Sequence, residues 1–118
     1  MMNVEEIISA LKLESLASTD QGLKQEVTGG YASDLLSIVM ANAGEGNVWV
    51  TMQGHQNIIA VAVLLGLSSI IVAGGVAVDQ DTLEKAEEEG IPLLASEQPV
   101  FEVVGQLYQA GVRGTAGD

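Results

Sequence analysis

This sequence predicts a layered α/β domain of successive βα units on a mostly parallel sheet, and three observations carry the prediction. Apolar, strand-like runs begin near Val48, Ile70 and Leu93, each followed by small residues and then a helical segment. The helices close on the same pair, a glycine then an aliphatic residue, at Gly66-Leu67, Gly90-Ile91 and Gly111-Val112. A glycine just past a helix adopts the left-handed conformation, and the aliphatic residue after it packs back on the last turn. Finally, Ser69 to Ala73 is rich in β-branched residues and carries no charge, as expected of a central strand covered on both faces. Strands alternating with helices in this way feed a parallel sheet.

Taken in order, Asn3 and Glu6 have capping-box spacing, and Val4, Ile7, Ile8 and Leu11 share one face of the helix that follows. Glu14 to Ala17 is expected as a short strand, Ser18 to Leu23 as a polar loop, and Lys24 to Thr28 as a second short strand ending in Gly29-Gly30. Tyr31 to Asn42 is expected as a helix with Leu35, Leu36, Val39 and Met40 facing inward. Val48 to Met52 is a strand, and Gln53 to Asn57 leads into the helix from Ile58. Ser69 to Ala73 is the central strand; either Asp79 or Asp81 caps the next helix, which reaches Glu89. Pro92 to Ala95 is the last strand, and Ser96 is the expected cap of a final helix whose apolar face is Val100, Phe101, Val104 and Leu107. Residues 1–113 form a single domain and 114–118 a flexible tail.

Sixteen acids against four cations give a net charge of −12, which repels nucleic acid and anionic membrane surfaces. With no cysteine, disulfides, thiolate catalysis and cysteine-based metal sites are excluded. The core must come from Val, Ile, Leu and Ala, since only Tyr31, Trp49, Phe101 and Tyr108 are aromatic. The uncharged run from Ile58 to Val78 has the length of a membrane span, but Gly66, Ser68-Ser69 and Gly74-Gly75 divide it, and it lacks flanking cations and an aromatic belt. No basic segment leads into an apolar stretch at the start, so a cytoplasmic location is expected.

Ligands of such sheets sit where strands end and helices begin. The candidate ligand-binding residues are therefore Gln53, Gly54, His55 and Gln56 after one strand, Ala73, Gly74 and Gly75 after the next, and Thr28, Gly29 and Gly30. Helix N-termini there offer backbone amides. His55 is the single histidine; as a phosphoryl carrier or general base it would need an acid–base partner that the sequence does not supply. No metal site, no cofactor and no catalytic residue is expected. The acidic stretch Glu84, Glu87, Glu88 and Glu89 reads as the wet face of a helix, and Asp34 as a surface acid near a helix start.

The order and spacing of Glu26-Val27-Thr28-Gly29-Gly30, Ser33-Asp34-Leu35-Leu36, Gln53-Gly54-His55-Gln56-Asn57-Ile58, Ile70-Ile71-Val72-Ala73-Gly74-Gly75 and Ile91-Pro92-Leu93-Leu94 resemble the DRTGG domain family over nearly the whole chain. The family is similar to the N-terminal domain of HPr kinase/phosphorylase and occurs in regulatory pyrophosphatases with CBS domains. The resemblance implies a non-catalytic regulatory or scaffolding domain that pairs as a homodimer and binds a protein partner. A small-ligand sensor, with an adenine nucleotide at the glycine-rich turns, and a phosphoryl carrier using His55 are the alternatives. Two turns depart from the family pattern. Gly54-His55-Gln56 stands where members carry Gly-Asp-Arg, and Ala73-Gly74-Gly75 where they carry Thr-Gly-Gly, so anion binding through that arginine is not expected here.

Overall fold

The computed structural model describes residues 2–114. Helix α1 (Val4–Leu11) leads to strand β1 (Glu14–Ala17), the short α2 (Asp20–Leu23), β2 (Gly29–Ala32) and α3 (Leu36–Asn42). There follow β3 (Asn47–Thr51), α4 (Asn57–Leu65), β4 (Ser69–Val72), α5 (Gln80–Glu89), β5 (Leu93–Ala95) and α6 (Val100–Ala110). The five strands form one sheet in the order β1-β5-β4-β3-β2, with only β1 antiparallel. The layered, mostly parallel α/β fold is thus as expected.

Side-chain alternation along the strands builds a core on each face. Val48, Val50, Ile71 and Leu94 pack with Val4, Ile7 and Leu11 of α1 and with Val103 and Leu107 of α6. Trp49, Ile70, Val72 and Leu93 turn to the other face and meet Val39, Ile58, Ile59, Ala62 and Ala86 from α3, α4 and α5. Strand β4 is buried along its whole length at the centre of the sheet. No described helix is long and apolar enough to cross a membrane; the uncharged run contains α4 and β4.

The local stops behave as their chemistry dictates. Gly66, Gly90 and Gly111 all have left-handed φ, and the amides of Leu67, Ile91 and Val112 reach back five residues to the carbonyls of Ala62, Ala86 and Leu107. The Asn3–Glu6 capping box is made in both directions.

Several expectations need correction. Lys24 to Thr28 is not a strand: Thr19 caps α2 within the expected loop, and the strand instead starts at the two glycines, because Gly29 and Gly30 pair with Asn47 and Val48. Extended chain therefore replaces the start of the helix expected from Tyr31. Leu35, at the cap of α3, and Met40 on it are exposed, while Val39 is buried. Ser96 does not cap α6; its hydroxyl accepts from the Gln98 amide, and Pro99 occupies the cap position. Asp79 is at the cap of α5, without a side-chain bond. The buried face of α6 runs through Val103 and Leu107, which leaves Phe101 and Val104 outside. Gly114, expected in the flexible tail, bridges to Gly30 in parallel; the rest of that tail lies outside the described residues.

Candidate functional site

The four parallel strands deliver four turns to one rim of the sheet, and the two halves of this rim differ. In the β2/β3 half, the Asp34 carboxylate accepts from the Thr51 hydroxyl and from the Met52 amide, each at 2.7 Å. The Gln53 side-chain amide donates to the Asp34 carbonyl. Beside it, the Gly54 carbonyl accepts from the buried Thr82 hydroxyl at 2.7 Å and from the Asp79 amide at 3.1 Å. Gly54 lies so close to Val78 that a Cβ would sit 3.1 Å from its Cα and overlap the Ala77 carbonyl oxygen. That glycine is a packing requirement between the β3 turn and the entrance to α5.

His55 and Gln56 are exposed on the turn leading into α4. The His55 Nδ1 accepts from the Asn57 amide at 3.2 Å, a contact local to the turn. Among the described residues no cluster of three or more His, Cys, Asp or Glu could hold a metal ion.

In the β4/β5 half, Gly74 and Gly75 both have left-handed φ, and their amides donate to the carbonyls of Gln98 and Ser96. The glycine amides thus tie two turns together rather than pointing at a ligand. Beyond them opens a cleft of about 940 Å³ between α1, β1, α5 and α6. Leu11, Leu16, Val76, Val78 and Leu83 make its apolar wall; Gln98, Gln106 and Gln109 supply amides, and Lys12, Glu14 and Glu97 the charges. Lys12 is the one non-glycine residue with left-handed φ among those described.

The expected residues are therefore scattered. Gly75 lines the cleft, with Gly74 beside it and Ala73 buried beneath. Gln53, Gly54, His55 and Gln56 belong to the other half of the rim. Thr28, Gly29 and Gly30 lie at the opposite end of the sheet, where β2 and β3 begin; there the Thr28 hydroxyl donates to the Glu45 carbonyl and accepts from Asn47. Asp34, read as a surface acid, is the residue that locks the β2/β3 half. The cleft is not visible in sequence because its walls come from both halves of the chain, α1 and β1 near the start and α5 and α6 far beyond them.

No family model matches the sequence, and no curated protein matches it. Among solved structures, the chain is similar to the regulatory region of a pyrophosphatase from Clostridium perfringens, its CBS and DRTGG domains in complex with the activator diadenosine tetraphosphate. The TM-score is 0.72 at 16% identity, over 92% of this chain and 46% of that one. This chain thus spans about half the length of that neighbour. At this identity the likeness shows the fold alone, and that fold agrees with the DRTGG-like architecture to which the motifs point.

Proposed function

We propose that this chain is a non-catalytic regulatory or scaffolding domain that acts as a homodimer and binds a protein partner. The observation that carries the reading is its surface. In a chain of net charge −12, Phe101 is 85% exposed, Leu64 68%, Leu35 60% and Tyr108 58%. Of these, Phe101 and Tyr108, with Val104 between them, share one stripe of α6, and a contiguous apolar stripe left in water is the kind of surface that another protein covers. The likeness to a regulatory region supports the same reading at the level of fold. Light scattering on the purified full chain tests it: the homodimer has twice the 12.2 kDa mass of the chain.

The cleft favours a second reading, a small-ligand sensor. Its apolar wall and amide-rich mouth suit a flat, mostly uncharged group such as a nucleobase, and Lys12 is its single cation. A thermal-shift screen with adenosine, ATP and diadenosine tetraphosphate tests this. A ligand at about 100 times its Kd adds about 2.7 kcal/mol of stability, visible as a raised midpoint.

A further inference from the structure

We propose that two copies of this chain pair through the outer face of α6, antiparallel about a two-fold axis passing between Val104 and Gly105. The inference rests on the homodimer reading above and assigns its interface. Phe101, Val104 and Tyr108 are 85%, 37% and 58% exposed, and their spacing of three and four residues puts them on one stripe of the helix. Gly105 lies on the same stripe. A glycine inside a helix weakens it, and a Cβ at Gly105 would meet nothing within 4 Å, so packing within one copy gives no reason for it. A second backbone passing closely over that point does.

The stripe is also symmetric along the chain. Phe101 and Tyr108 are equidistant from the Val104–Gly105 midpoint. An isologous contact requires that residue i meet residue j and j meet i. Antiparallel pairing about this midpoint sets Phe101 against the second copy's Tyr108, and Val104 against its Gly105, so that bulk meets space at the centre. Charge agrees with this direction. The Arg113 guanidinium stacks 3.8 Å over the Tyr108 ring at the C-terminal end of the stripe, while the exposed Glu102 follows Phe101 at the N-terminal end. Antiparallel pairing brings cation toward acid, whereas parallel pairing sets like charges side by side. A groove of about 120 Å³ between α6 and the β2 edge, lined by Tyr31, Val50 and Val112, continues the apolar surface.

Because the chain has no cysteine, single-cysteine variants give a clean test. Val104→Cys is expected to form a covalent dimer on mild oxidation, and Val63→Cys, on the exposed end of α4, to form none. Gly105→Leu, placed where there is open space, should keep its helical spectrum and weaken pairing about tenfold. A wild-type dimer whose Val104→Cys variant fails to cross-link, or whose Gly105→Leu variant pairs undiminished, overturns this interface and leaves the homodimer reading standing. A wild-type monomer overturns both.

Discussion

The two halves of the rim carry the same kind of turn, small residues between a strand and a helix, and put them to different use. In the β2/β3 half, Asp34 bonds to Thr51, Met52 and Gln53 while the Gly54 carbonyl accepts from Thr82 of α5, and the chain closes on itself. In the β4/β5 half, Gly74 and Gly75 are tied to the next turn by backbone bonds alone, and the side chains beyond them stand back around a cleft of about 940 Å³. Glycine at such a turn is therefore no indicator of a ligand: at Gly54 it admits a neighbouring carbonyl, at Gly75 it permits left-handed φ. What separates the halves is whether side chains from distant elements fill the space above the turn.

Substitutions should separate the halves by size of effect. Gly54→Ala drives a methyl into the Ala77 carbonyl and should cost about 3 kcal/mol, at the upper end for overpacking, as read from urea unfolding. Asp34→Ala removes two charge-assisted hydrogen bonds; because the residue is largely exposed, the cost should be about 1.5 kcal/mol in the same assay. A loss below about 0.5 kcal/mol at both positions, within the scatter of ordinary surface changes, would mean that this half is not locked.

In the open half, Lys12→Gly should stabilise the chain by about 1 kcal/mol by relieving left-handed φ at a non-glycine residue. If a small ligand uses the cleft, the same variant should lose its thermal shift, trading function for stability. His55→Ala should change stability by less than about 0.5 kcal/mol, since its Nδ1 makes only a turn-local contact. A larger loss would move attention back to the β3 turn.

How much was legible in the sequence follows from how local each feature is. The three glycine-terminated helices and the Asn3 cap close on atoms within five residues, so residue type alone determines them. Strand β2 was missed because glycines have low strand propensity and are held here by pairing with β3, which sequence does not display. On α6, apolar residues at 100, 101, 103, 104, 107 and 108 allow two faces, and only packing against Val48, Val50 and Ile71 selects Val103 and Leu107. The same ambiguity hid the outer stripe, since a helix with two apolar faces reads like one with a single broad face.

The molecular mass of the full chain in solution, followed by sedimentation through a micromolar dilution series, decides whether two copies pair. A homodimer gives a species at twice 12.2 kDa that dissociates only on dilution. A single-chain mass at every concentration overturns the homodimer.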